Sequence, residues 1–309
     1  LVISHAKMHW FGAAHLAASS YLGHVSIMIK YLSQNSSLGI AFAAVGVAIT
    51  ALSIGFSSSA QAGASLASHE ATYRLSLASV DSGAGLQAVR GVMRYRFADA
   101  CDGWTSENAV AVEYVYDSGA SLRSTWEFTS WEAKSGEELR FAVVEKANGQ
   151  TTDQFSGRAK VDTSGVSGGT AWIKDEGGEE AAMYLPPGTI LPTAHVIALF
   201  EAAEQGKPII SKTVFDGTSK DNPYAINAVI GKGRTADSAF ATVTAGEDLM
   251  TYPMSLAFFQ IRARQEFPDY EMSIDYRRDG IAEKVVQTFS DFSLALTPDT
   301  LTFLDDSGC

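Results

Sequence analysis

Apolar and polar residues alternate along most of this chain. In ATYRLSLAS, Tyr73, Leu75 and Leu77 alternate with Thr72, Arg74 and Ser76. In AVRGVMRYRFA, Val89, Met93, Tyr95 and Phe97 fall on one face and Arg90, Arg94 and Arg96 on the other. Successive side chains leave a pleated strand on opposite faces, so a sustained period of two predicts half-buried antiparallel strands. The rhythm recurs in AVAVEYVYD, LRSTWEFTSWEA, ELRFAVVEK, MSLAFFQIRA and YEMSIDYRR, among others. Between these runs lie DSGAG, KSGEE, KANGQ and YRRDGIA. Their Gly, Asn and Asp residues supply positive φ angles and side-chain-to-backbone bonds, as hairpin turns require. The clearest hairpin turns at Asp279-Gly280. More than ten such runs predict a mainly β protein: a large antiparallel sheet, a barrel or a curled half-barrel.

One segment breaks the period. LPTAHVIALFEAAEQGKP places Val196, Leu199, Phe200 and Ala203 at helical spacing, which predicts an amphipathic helix over 193–206. Thr193 is the expected N-cap, Gly206 the stop, and Pro208 follows. A lone amphipathic helix in a β chain is expected to plug the sheet or cover one of its faces. Trp126 and Phe128 share a strand face, and with Val196, Leu199 and Phe200 on the helix they are candidates to line an apolar groove. Core packing of the tryptophans is the blander reading of the same residues.

Charge is unevenly distributed. Residues 1–62 contain Lys7 and Lys30 and no acid, so residues 63–309 carry 21 of the 23 basic side chains and all 35 acidic ones, a net of −14. An acidic surface of that kind disfavours nucleic acid and anionic membrane faces. The uncharged run from Leu38 to Phe56 follows Met28 and Lys30 and precedes Ala60 and Ala62, an A-x-A pattern. Residues 28–62 therefore read as a secretory signal peptide cleaved after Ala62, with an uncleaved anchor as the alternative. Residues 1–27 fit neither part and read as an extension of the gene start; residues 63–309 read as a single domain.

Candidate chemistry is sparse. Cys101 and Cys309 are the two cysteines. After export, two cysteines most simply form one disulfide, with a free thiol or an intermolecular bridge as alternatives. Zinc is disfavoured because His69 and His195 are the histidines remaining after residue 62. His195 reads as a polar residue at a helix end rather than a general base. No G-x-S-x-G elbow precedes a helix, and the glycine-bearing turns lack phosphate-loop spacing. Asp216, Asp221 and Asn222 lack EF-hand spacing, and a turn held by Asx side chains is expected there. No catalytic residue, metal or cofactor is expected.

The elements ATYRLSL, GVMRYRFADACDGWT, FTSWEAKSGEELRF, LPPGTILPTAH and VFDG, in this order and followed by a final cysteine, resemble a known family. It is the EipB-like cell-envelope-integrity family of alphaproteobacterial periplasmic proteins, and the resemblance covers almost all of residues 70–309. It implies a periplasmic β-spiral with a central helix and a disulfide between Cys101 and Cys309. It also implies a non-enzymatic role in envelope integrity and stress resistance, exercised through a periplasmic protein partner such as a TPR-repeat protein. A monomer is expected. A lipid or lipoprotein carrier using the groove between sheet and helix is the alternative.

Overall fold

The computed structural model describes residues 66–309, apart from 221–222, 236–237, 241–249, 263–265, 306–307 and 309. The described residues belong to one compact unit. The expected gene-start extension and signal peptide lie outside them. No helix among them is long and apolar enough to cross a membrane.

The strands are β1 His69–Val80, β2 Leu86–Asp99, β3 Gly103–Tyr116, β4 Ser121–Ala133, β5 Glu138–Ala147, β6 Gln150–Lys160, β7 Gly169–Asp175, β8 Glu180–Leu185 and β9 Thr189–Ile190. After helix α1, Pro192–Glu204, come β10 Ile209–Val214, β11 Tyr224–Ile230, β12 Arg234–Thr235, β13 Met250–Gln260, β14 Tyr270–Arg277, β15 Ala282–Thr288 and β16 Phe292–Phe303.

All the strands join one sheet, in the order β8-β7-β6-β5-β4-β3-β2-β1-β16-β15-β14-β13-β11-β10-β9, with β12 on β13 off this path. Strand β1 lies in its middle, paired antiparallel with β2 on one side and β16 on the other. The chain thus lays strands outward by hairpins to β8, crosses to the opposite edge and returns inward to β16. The two ends of the path, β8 and β9, are separated in sequence by Pro186, Pro187 and Gly188 alone. So short a link requires a sheet curled almost onto itself, and the fold is a nearly closed half-barrel. Contacts between the two arms agree. The Lys220 ammonium, beyond β10, lies 2.7 Å from both Asp153 on β6 and Asp175 on β7. Phe215 packs edge-on against Phe141 of β5 at 5.7 Å between centroids.

Local chemistry matches this path. The β5–β6 hairpin turns through Asn148 (φ 50°) and Gly149 (φ 82°), the two positive φ angles a type I′ turn needs. The inward residues of the alternating runs form one core. Tyr73, Met93, Leu139, Phe200 and Leu296 are almost wholly excluded from solvent, whereas Arg90 and Arg94 are exposed.

Helix α1 lies in this core. Phe200 packs against Tyr276 of β14 edge-on at 5.4 Å and against Tyr252 of β13 at 6.3 Å. The helix ends as expected: Gly206 adopts φ 67°, its N–H reaches the Ala203 carbonyl, and Lys207 N–H reaches Ala202, a Schellman closure. Its start differs from expectation. Pro192 takes the first helical position and extended Leu191 the N-cap, so Thr193 lies inside the helix. Leucine has no side-chain acceptor for the first amides, and the acceptor comes from the sheet instead.

Candidate functional site

That acceptor is Glu132 on β4. Its Oε2 accepts the Thr193 N–H at 2.7 Å and its Oε1 the Ala194 N–H at 3.2 Å. The first turn of an α-helix leaves its amides without intrahelical partners and carries the positive end of the helix dipole, so a carboxylate is suited to this position. Glu132 is nonetheless 3% exposed. Burial raises its carboxyl to about 7, against the lowering pull of the two amides.

Beside this contact the helix start, the inner wall of β2–β4 and Tyr276 of β14 line a partly open cavity of about 80 Å³. Its apolar walls include Phe97, Trp104, Phe128 and Val196, and its polar lining includes Ser106, Glu132, Thr193 and Asp216. Trp104 stacks on Phe97 at 5.3 Å, and Lys134 lies 4.8 Å over the Trp104 ring. Asp216 is buried, and its Oδ1 accepts both the N–H and the hydroxyl of Thr218, at 2.9 and 2.7 Å. This is the Asx turn expected of VFDG; Asp221 and Asn222 lie outside the described residues. No group of three potential metal ligands occurs among the described residues.

The structure brings two of the five candidate groove residues, Phe128 and Val196, to this cavity. Trp126 is stacked parallel to Phe128 at 5.7 Å but does not line the cavity. Leu199 and Phe200 are buried in the core. The apolar face of the helix is thus divided between a small cavity and close packing.

His195 lies in the first turn of the helix, at the helix end as expected. It is 6% exposed, and burial lowers its imidazole to about 4. It packs in a part of the helix where the side chains of Thr193, Leu199 and Phe200 are buried as well.

Cys101 occupies the turn between β2 and β3 with φ 67°, a left-handed conformation unusual for a residue bearing Cβ. Its N–H bonds to Asp99 Oδ1 at 2.8 Å, and Lys134 bonds the other Asp99 oxygen at 2.8 Å, which fixes the turn. No cysteine among the described residues is free. The expected partner, Cys309, lies outside the described residues.

Sequence reasoning passed over Glu132, because an acid within FTSWEAKSGEE looks like any strand-end charge. Its one local signal is the inward phase it shares with Trp126, Phe128 and Ser130.

A half-barrel whose helix α1 is capped from the wall and sunk in the core defines the class of protein. The EipB-like family matches residues 60–305, and the chain belongs to it. Among solved structures, it is similar to a β-barrel-like protein of a domain of unknown function (DUF1849) from Brucella abortus. The two share 24% sequence identity and a TM-score of 0.71, over 78% of this chain and 99% of that one. At that identity the likeness shows the fold. No curated protein matches the chain. Family and fold are those of a β-barrel-like protein of unknown function rather than of a known enzyme family.

Proposed function

We propose that the protein is exported to the periplasm by residues 28–62 and supports cell-envelope integrity by binding other envelope proteins, without catalysing a reaction. The observation that carries this reading is membership of the EipB-like family across residues 60–305. The state of the interior supports a surface role. Trp126, Leu199 and Phe200 are buried among the protein's own side chains, and the cavity at Phe128 and Val196 holds about 80 Å³. Ligand pockets typically offer about 300–1,000 Å³. The same comparison weighs against a lipid or lipoprotein carrier, whose acyl chain needs a longer apolar channel. A TPR-repeat protein is the kind of partner that the family resemblance suggests.

In this reading Cys101 is bridged to Cys309, which pins the segment beyond β16 to the β2–β3 turn. The absence of a free cysteine among the described residues supports the pairing. Closing a loop of about 200 residues is worth about 5 kcal/mol in the chain-entropy account.

The test is deletion of the gene, challenge of the cells with envelope stress, and crosslinking in the periplasm of the complemented strain. Hypersensitivity together with a specific crosslinked envelope protein is the expected result. Wild-type resistance to several stresses, with no specific partner recovered under several crosslinking conditions, would sink the proposal.

A further inference from the structure

We infer that the open edge of β8 docks an extended segment of a partner protein whose C-terminal end is basic. The inference rests on the protein-binding reading above and adds to it the surface and the chemistry of the partner. Strand β8 pairs with β7 at six successive positions, from Gly169↔Leu185 to Lys174↔Glu180, and it ends the strand path of the sheet. Every second residue of such a strand directs its backbone N–H and C=O away from the sheet, which makes the edge a template for strand addition.

Sheet edges are commonly protected by charged side chains, Lys above all, by Pro, by a bulge or by extreme shortness. Strand β8, EAAMYL, contains neither Lys nor Pro, its register with β7 has no shift, its one charge, Glu180, is paired with Arg158, and Pro186 and Pro187 lie beyond its last residue. The opposite end of the sheet is protected. There β9 has two residues, and β10 behind it follows Pro208 and carries Lys212.

The side chains define what fits. Leu185 is buried and Met183 packs against the core, so their alternates Ala182 and Tyr184 lie on the outer face, where Tyr184 is 65% exposed. An added strand would set one side chain beside Tyr184 and a small apolar one beside Met183. The β7–β8 turn supplies the charge. Asp175 is held by Lys220 and Glu180 by Arg158, while exposed Glu176 and Glu179 reach no cation among the described residues. In antiparallel addition the C-terminal end of the incoming segment meets Glu180 and this turn, so its Lys or Arg residues belong at that end.

The probe is a synthetic peptide of alternating Thr and Val ending in two lysines, compared by fluorescence anisotropy with its counterpart ending in two glutamates. Micromolar, salt-sensitive binding of the lysine peptide and at least tenfold weaker binding of the glutamate peptide are expected. Reversing the turn with Glu176→Lys and Glu179→Lys should invert that preference. Adjacent amides of a strand point to opposite sides, so of Ala181→Pro and Ala182→Pro one breaks the β7 ladder and the other blocks the edge. The variant that keeps the wild-type melting temperature should lose lysine-peptide binding at least tenfold. If both unfold, hydrogen exchange on the wild type decides: peptide-induced protection of alternate β8 amides is expected, and its absence overturns the inference. So does undiminished binding by the intact Pro variant, a preference indifferent to charge reversal, or a wild-type dimer that this variant converts to monomer, since the occupant is then a second copy. A crosslinked envelope partner retained in full by the Pro variant overturns this inference and leaves the protein-binding reading standing. Failure of the wild type to yield any specific partner removes both.

Discussion

The Glu132 carboxylate and the Thr193 backbone amide, 61 positions apart in the chain, meet at 2.7 Å in the interior. The contact ties the wall of the half-barrel to its helix at the end of α1 that has no cap of its own. Its acid is also the buried carboxyl raised to about 7.

A pH dependence of stability follows. The ordinary value for glutamate is 4.5, so between about 4.5 and 7 the folded state holds the Glu132 proton more tightly than the unfolded state. The contribution of Glu132 is therefore greatest at low pH and falls as pH rises to about 7, by roughly 1–3 kcal/mol. Replacing Glu132 by Gln should abolish that fall, leaving a variant at least as stable as wild type at pH 8. Urea titrations of both proteins at pH 5, 6, 7 and 8 measure the contribution as a difference, and a variant-minus-wild-type difference that does not change with pH contradicts the assignment.

His195 works in the opposite sense. Its folded value of about 4, against 6.5 ordinarily, makes stability rise with pH through that interval and fall again on acidification. His69, whose buried ring is likewise held below its ordinary value, adds a rise of the same sign. Glu132→Gln should therefore expose a rising profile between pH 4 and 6.5, whereas His195→Gln, which keeps the Glu132 contribution, should turn the profile downward relative to wild type. Identical profiles for the two variants would exclude this pair as the source.

Replacing Cys101 by Ser should remove about 2–4 kcal/mol and lower the melting temperature by about 5–15 °C. Reductant should lower the wild-type melting temperature similarly and leave the variant unchanged. Thermal melts with and without dithiothreitol provide the check, and a wild-type melt indifferent to reductant contradicts the bridge.

Gly217 follows Asp216 at φ 71°, and a Cβ there would come 2.6 Å from Cγ of Phe141. Gly217→Ala combines backbone strain with a clash where the two arms of the sheet meet, and it should cost about 2–4 kcal/mol. Gly149→Ala, in an open turn at φ 82°, lacks the clash and should cost less. Denaturant unfolding of both ranks them; a Gly217 variant as stable as the Gly149 one contradicts the close approach.

Val196→Phe places additional ring volume into the cavity of about 80 Å³. A protein that works through its surface should retain envelope-stress resistance in this variant, with stability changed by less than about 3 kcal/mol. Sensitivity of the complemented strain at normal protein level would instead point to an occupant of the cavity.

Much of the architecture could be read locally. The alternation of Val89, Met93 and Phe97 with Arg90 and Arg94 marks a strand and its inward face, because side-chain direction is set residue by residue along the backbone. Asn148-Gly149 and Gly206 mark a hairpin turn and a helix stop for the same reason: each needs a φ that few residues adopt. The helix start was read wrongly from the same kind of signal. Thr193 has the chemistry of an N-cap, yet Pro192 already satisfies the first helical position and Glu132 supplies the missing acceptor from another element. The burial of His195 was not legible either, since a polar residue next to Val196 gives no local sign that a whole sheet will close around it.

The sequence by itself determined strands, turns, one helix and a family resemblance, because propensity, period and special φ angles act over a few neighbouring residues. Which side chains meet was decided by the tertiary structure. Curling brings β8 and β9, the two ends of one sheet, towards each other, sets Lys220 between Asp153 and Asp175, and sinks Glu132 beneath the helix. Burial is a property of that closure: it turns an ordinary glutamate into a carboxyl that titrates near neutrality, and it confines the predicted groove to a small cavity beside Phe128 and Val196.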